Sequence, residues 1–174
     1  MAGVALALGG IVWWFAGREP SGGGQQQLTA QQALSVLQDI DLAKLEAEAA
    51  ANPNDPAMVF NLGMAYMDRQ RWGDALEVLS RYRNMDPANI TAQIEYGIAS
   101  MNVGIYGPAE ETFLAVLVKD PDNVQVHYSL GFLYANAPLP SPTLARQHWE
   151  AVLRLAPDSR FAADARVRLQ SLPQ

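Results

Sequence analysis

Apolar residues along this chain recur at helical spacing, and the pattern returns with a fixed period. Gly63, Gly97 and Gly131 lie 34 residues apart (97 − 63 and 131 − 97), each inside such an apolar stretch. The prolines between these stretches keep the same period: Pro53, Pro87 and Pro121. A fixed period of this length in helical sequence predicts a stack of helical hairpins, in which each unit buries its apolar face against its neighbours.

The repeats fall into register when they begin at Pro56, Ile90 and Val124. Position 8 is then glycine, position 20 is alanine and position 24 is a large apolar residue in every unit. The residues at positions 20 and 24 are Ala75, Ala109 and Ala145, and Leu79, Phe113 and Trp149. Small residues at positions 8 and 20 predict a close approach of the two helices. In the third unit the later positions are displaced by two (145 − 109 is 36), which places an insertion in residues 136–142.

The ends of the helices are marked by proline, which lacks a backbone N–H and has a fixed φ. Ser141-Pro142 is typical of an N-cap followed by a proline at the first helical position, and Gly107-Pro108 gives the same signal in the second unit. The predicted units are 56–89, 90–123 and 124–159.

Two flanking segments extend the predicted stack. Residues 28–55 form a degenerate helical unit, with a first helix over 28–38 and a second over 41–51. Residues 160–174 form a capping helix, because Phe161, Ala165 and Leu169 recur at i, i+4 and i+8 among polar residues.

Residues 1–17 contain no charged side chain and include Trp13 and Trp14. As a helix they would span about 25 Å, close to the thickness of a bilayer core, so we expect a single transmembrane anchor. A cleaved signal peptide is the alternative. Residues 18–27 predict a flexible Gly/Gln linker. Arg18, next to Glu19, gives little information on orientation; we expect the repeats outside the cytoplasm, as for a common bacterial membrane protein layout.

The recurring residues resemble those of the tetratricopeptide repeat (TPR) family over residues 56–157. The resemblance implies an all-α, right-handed superhelical solenoid of antiparallel helix pairs. One departure is position 4, where the family's aromatic residue is replaced by Val59, Gln93 and His127.

In that family, positions 2, 5, 9 and 12 of each unit line a concave groove. The large apolar residues at these positions are Phe60, Met64, Met67, Ile94, Ile98, Met101, Tyr128 and Phe132. Such a groove would bind an apolar or amphipathic segment of a partner protein. Asn61 matches one residue of the family's carboxylate-binding sites, but no Lys or Arg occupies the lining positions, so that type of site is not expected. Alternatively, residues 28–38 or a second copy of the chain fill the groove.

Composition excludes several other functions. The net charge is −6 without a basic run, which argues against nucleic acid binding. Cysteine is absent, so disulfides and thiolate metal sites are excluded. His127 is expected to pack between helices and His148 to face solvent, without a second ligand for a metal. No catalytic motif or cofactor site is found, and we expect no enzyme activity.

Two further stretches, residues 45–53 and 148–159, together with the anchor, resemble membrane-bound TPR components of bacterial cytochrome c maturation. The resemblance implies a chaperone or adaptor that holds apocytochrome segments at a membrane. The alternative is a structural or assembly subunit of a membrane complex, in which the groove is permanently filled. The partner and the oligomeric state, including a homo-oligomer, are left open by the sequence.

Overall fold

The structure is a computed structural model that describes residues 30–138 and 140–173. In this part of the chain the secondary structure is entirely helical. The helices are α1 (Ala30–Ala51), α2 (Pro56–Asp68), α3 (Trp72–Met85), α4 (Ile90–Asn102), α5 (Tyr106–Lys119), α6 (Val124–Asn136), α7 (Pro142–Leu155) and α8 (Arg160–Ser171). The predicted anchor and linker lie outside the described residues. Among the described helices, none is both long and apolar enough to cross a membrane.

Consecutive helices pack as hairpins, α2 with α3, α4 with α5 and α6 with α7. The first helices of successive hairpins also contact one another, α2 with α4, α4 with α6, and α6 with α8. In the described part of the chain, the second helices make no comparable contacts with each other. The first helices therefore line one inner face of a solenoid, as predicted.

The repeated glycines make room for the large residue at position 24 of the same hairpin. A methyl group on Gly63 would lie 2.8 Å from Leu79 Cδ2, and one on Gly97 would lie 2.5 Å from a ring carbon of Phe113. A methyl group on Gly131 would overlap the Trp149 ring. The position-24 residue thus packs within its own hairpin rather than only towards the next unit. Burial of each such side chain contributes about 1.5–3 kcal/mol.

Side-chain caps explain where the first helices begin. Asp55, Asn89 and Asn123 precede α2, α4 and α6, and each side chain accepts a hydrogen bond from a backbone N–H of the first turn. Ser141 caps α7 ahead of Pro142 as predicted. The prediction that Gly107 is an N-cap and Pro108 the first helical residue is wrong. Helix α5 begins at Tyr106, and both residues lie in its first turn.

The turn inside each of the first two hairpins needs a left-handed residue. Gln70 has φ 56° and Gly104 has φ 84°, and both occupy position 15 of their repeats. In the third repeat the two-residue insertion lengthens this turn, and Ala137 at the end of α6 is extended, with φ −62° and ψ 160°. The insertion therefore lengthens this connection, which begins with an extended residue.

The predicted division of residues 28–55 into two helices is wrong, because residues 30–51 form the single helix α1. No glycine or proline lies between residues 38 and 41 to end a helix there. Within residues 39–51, Leu42 and Ala49 are buried in a cluster with Leu62 and Tyr66 of α2.

A polar contact also joins α1 to the first hairpin. The Tyr66 hydroxyl donates to Glu46 at 2.8 Å, and Arg71 pairs with the same carboxylate at 3.1 Å. Burial, together with the bond to Glu46, raises the pKa of Tyr66 to about 12. Tyr66 therefore remains a neutral hydrogen-bond donor at any physiological pH.

Candidate functional site

An open cavity of about 240 Å³ lies on the inner face between α4, α6 and α8. Four of the eight predicted groove residues line it: Ile98 and Met101 from α4, and Tyr128 and Phe132 from α6. They meet because each pair lies one turn apart on helices that are themselves neighbours. All four side chains remain partly exposed. The C-terminal half of the predicted groove is therefore an open apolar surface.

The other four predicted residues do not line this cavity. Met67 and Ile94 are only 8% and 5% exposed, and each belongs to a core cluster that also contains residues of neighbouring helices. The Phe60 ring packs against Tyr82 at a centroid distance of 5.0 Å, and Met64 is partly exposed. The repeat position predicts the face of the helix on which these side chains lie. It does not show whether the neighbouring helix covers them.

Two residues of α8, Arg160 and Phe161, complete the cavity and were missed in the sequence. The Phe161 ring packs against Tyr128 at 5.1 Å. No Lys or Arg occupies the predicted lining positions of the three repeats, but Arg160 of α8 adds a cation to the cavity. A signal was present: continuing the register past the two-residue insertion starts a further unit at residue 160, and Phe161 then takes position 2, a lining position.

The wall of the cavity contains a closed set of hydrogen bonds. The Tyr128 hydroxyl donates to Asp164 Oδ2 at 2.5 Å, and the Arg168 guanidinium pairs with the same oxygen. Arg168 also lies over the Phe132 ring, 4.9 Å from its centroid. The hydrogen bonds from Tyr128 and Arg168 lower the pKa of Asp164, and burial raises the pKa of Tyr128. Asp164 therefore holds Tyr128 and Arg168 through one oxygen, Oδ2.

Two amide side chains of the cavity, Asn102 and Gln125, offer acceptor atoms. Asn102 donates its amide to the Ile98 carbonyl at 2.8 Å, and Gln125 donates to Glu95 at 3.3 Å. Their side-chain carbonyl oxygens remain available, because each amide has a separate acceptor oxygen. Burial is the main cause of the raised pKa of Glu95. A ligand with backbone N–H groups would suit these acceptors.

The two histidines contact each other, contrary to the prediction that His148 faces solvent. Their Nδ1 atoms are 2.9 Å apart, and His127 Nε2 lies 2.9 Å from the Pro121 carbonyl oxygen. A carbonyl oxygen can only accept, so His127 donates from Nε2 to Pro121, and one of the two Nδ1 atoms donates to the other. Tyr134 stacks on His148 at 5.6 Å. Burial, and then the nearby His127, lower the pKa of His148 to about 4.

This pair is a packing contact between α6 and α7. Tyr134, which covers His148, donates its hydroxyl to Glu110 of α5 at 2.6 Å, and burial raises its pKa. In the described residues there is no group of three or more His, Cys, Asp or Glu side chains that could hold a metal ion.

Comparison with known proteins identifies the fold. The structure of YrrB, a TPR protein with an unusual peptide-binding site, matches with a TM-score of 0.67 and 20% identity, over 78% of this chain and 69% of that chain. The first TPR of Spaghetti (RPAP3), bound to an HSP90 peptide, matches with a TM-score of 0.58 and 16% identity, over 67% and 90% of the chains. The chain therefore has the tetratricopeptide repeat fold.

Comparison of sequences matches a smaller part of the chain than comparison of structures. No protein-family model matches the chain. The peroxisomal targeting signal receptor of Candida glabrata is 31% identical over 72 residues, which are 41% of this chain. The match spans only 12% of the length of that receptor.

Proposed function

We propose that this protein is a non-enzymatic adaptor that binds a partner protein through an apolar segment placed in the cavity between α4, α6 and α8. The observation that carries the proposal is the meeting of Ile98, Met101, Tyr128 and Phe132 around an open space of about 240 Å³. Apolar side chains brought together and left partly exposed are typical of an interaction site.

The size and chemistry of the cavity favour a peptide segment over a small molecule. Sites for drug-sized ligands usually enclose about 300–1,000 Å³, whereas this cavity is smaller and open, with room for about one or two side chains. The acceptor oxygens of Asn102 and Gln125 suit the N–H groups of an extended backbone. Met101 is flexible and adapts to different side chains.

The similar solved structures support the same kind of ligand. YrrB is described with a peptide-binding site, and Spaghetti is bound to a peptide. Since these proteins share the fold, a peptide in the inner face of this chain is consistent with the way such folds are used. The partner itself is not defined by this likeness, because fold and function are separable.

The finer proposal is that the adaptor works at a membrane and takes part in cytochrome c assembly. It is supported by the uncharged residues 1–17 and by the stretches 45–53 and 148–159. In this proposal residues 1–17 anchor the chain, and the repeats hold an apocytochrome segment outside the cytoplasm. The competing proposal is a structural subunit whose cavity is permanently occupied within a larger complex or by a second copy.

A photocrosslinking experiment tests these proposals together. A benzophenone amino acid is placed at Phe132 of the full chain in cells, and the adducts are identified by mass spectrometry. The matched control carries it at Val118, which is 84% exposed on α5 and does not line the cavity. We expect adducts with another protein from position 132 that are absent from position 118.

The identity and persistence of the adducts decide between the alternatives. Adducts that contain a CxxCH segment support the cytochrome proposal, and their absence among reproducible partners overturns it. Adducts with one constant protein, unchanged when synthesis of new protein is blocked, indicate a structural subunit. Adducts only within the chain or between copies contradict the adaptor.

A further inference from the structure

Arg160 is the charged residue that lines the cavity, and it forms no ion pair with any described residue. Its guanidinium carbon lies 5.0 Å from the centroid of the Phe161 ring, and the residue is exposed. Among the described residues, no carboxylate lies within ion-pair distance of it. Stacking on an aromatic face fixes an arginine while leaving its N–H groups free to donate.

The carboxylate best placed to neutralise Arg160 is already used. Asp164 follows Arg160 by four residues on α8, a spacing at which oppositely charged side chains normally meet. Its Oδ2 atom instead accepts from Tyr128 and pairs with Arg168. Arg160 lines the cavity, and among the described residues it forms no ion pair with Asp164 or with any other carboxylate.

Among the described residues, the only other carboxylate that is hydrogen-bonded to a lining residue is Glu95, which accepts from Gln125 at 3.3 Å. Glu95 lies on α4 and its bond is to α6, so it does not pair with Arg160 of α8. In the described part of the chain, Arg160 therefore forms an ion pair with neither Asp164 nor Glu95. A cation in this position favours a ligand group of opposite charge.

We infer that the bound segment carries an acidic side chain next to the apolar side chain that fills the cavity, and that Arg160 binds this carboxylate. The inference rests on the proposed function and names the chemistry of its ligand. The apolar residue of the segment lies against Met101, Phe132 and Phe161, and the acidic residue lies at the α8 rim. Charge complementarity of this kind fixes the register of a peptide as well as its affinity.

Peptide selection with the intact protein tests the inference. A phage-displayed library of random heptapeptides is selected against the full chain in detergent, as wild type, as Arg160→Glu and as Arg160→Gln. The matched control is Arg154→Glu, which makes the same charge change at an exposed residue of the neighbouring helix α7 that does not line the cavity. Circular dichroism verifies that each variant is folded.

We expect wild type and Arg154→Glu to enrich an apolar residue with Asp or Glu next to it, and Arg160→Glu to replace that acid by Lys or Arg. A peptide from the wild-type selection should bind Arg160→Gln about tenfold more weakly, which is about 1.4 kcal/mol. Replacing its acid by the amide should weaken binding to wild type similarly. Added salt should reduce the difference.

The outcomes separate this inference from the proposed function. Enrichment of apolar residues without an acidic neighbour, or of the same motif by wild type and Arg160→Glu, overturns the role of Arg160 and leaves the adaptor intact. Failure of every folded form to enrich any motif contradicts peptide binding in the cavity itself.

Discussion

The two halves of the inner face have similar residue types and different structures. In the N-terminal half, Met67 and Ile94 are buried in the core. In the C-terminal half, Met101 and Phe132 line an open cavity. All four residues occupy groove-lining positions of the repeat, so the repeat pattern alone does not separate them. The separation comes from what the neighbouring helices contribute.

In the first half, neighbouring helices cover Met67 and Ile94, whereas Phe60 and Met64 are partly exposed. Met67 shares a cluster with Leu42 of α1, and Ile94 shares one with Val126 and Leu130 of α6. In the second half, Arg160 and Phe161 of α8 line the open cavity together with residues of α4 and α6. The last helix of the stack therefore contributes to the open part of the inner face.

The strongest test of this difference introduces a charge into each half. Ile94→Asp buries a carboxylate without a partner, and we expect a loss of about 3–5 kcal/mol in the free energy of unfolding. Phe132→Asp removes a partly exposed ring and places the charge at an open cavity, where we expect a loss of about 1–2 kcal/mol. Denaturant unfolding of the full chain, followed by circular dichroism, measures both.

Thr91→Asp is the control for these variants, because Thr91 is exposed in the first turn of α4, where a carboxylate is tolerated. Equal losses for Ile94→Asp and Phe132→Asp would mean that the two halves are equally buried, and the distinction between them would fail.

The hairpin contacts provide a second test, with smaller effects. Gly63 faces the flexible Leu79, whereas Gly131 faces the Trp149 ring, which is only 2% exposed and donates its indole N–H to the Tyr128 carbonyl at 3.2 Å. We expect Gly131→Ala to cost about 2–3 kcal/mol and Gly63→Ala about 1 kcal/mol, since a pinned ring moves less easily than a leucine.

Gly107→Ala is the control here, because no atom lies within 4 Å of its added methyl group, and a helical Gly→Ala change should stabilise by about 0.5–1 kcal/mol. Thermal unfolding gives the order of the three variants. A Gly131→Ala protein as stable as Gly63→Ala would show that Trp149 is free to shift.

The repeat pattern predicted most of the fold because its positions follow from direct packing contacts. Gly131, for example, must be small because it faces Trp149. The start of α7 was predicted from Ser141-Pro142, two adjacent residues that mark a helix start on their own. The sequence reasoning failed where the outcome depends on neighbours. Nothing at residues 38–41 itself opposes or favours a continuous helix, and the two-helix interpretation came only from the repeat scheme.

The prediction of the cavity residues has the same limit, because it also depends on neighbouring helices. Tyr128 and Phe132 were predicted from their positions, but Arg160 and Phe161 lie beyond the insertion that displaces the register. His148 was assigned to solvent because a polar residue beside Trp149 suggests an outward direction. Its contact with His127 depends on how α6 and α7 approach, and neither side chain alone determines that distance.

The histidine pair gives the third difference between the halves and the smallest expected effect. Position 4 is the buried Val59 in the first repeat and His127 in the third. The pKa of His148 is about 4 in the folded protein and 6.5 ordinarily. Between these values the unfolded chain binds more protons, so stability present above pH 6.5 is lost as the pH falls towards 4.

Because His148 keeps some contact with solvent, we expect a loss of only about 1–2 kcal/mol on acidification. His148→Asn retains a donor near His127 but cannot be protonated, and should remove this part of the pH dependence. Amide hydrogen exchange at pH 7 and pH 4.5 locates the effect. Increased exchange confined to α6 and α7 in wild type, and absent in His148→Asn, is the expected result, since repeat arrays open locally. Equal acid sensitivity of α2 and α3 would contradict a role for the pair and assign the loss to carboxylates shared by the whole stack.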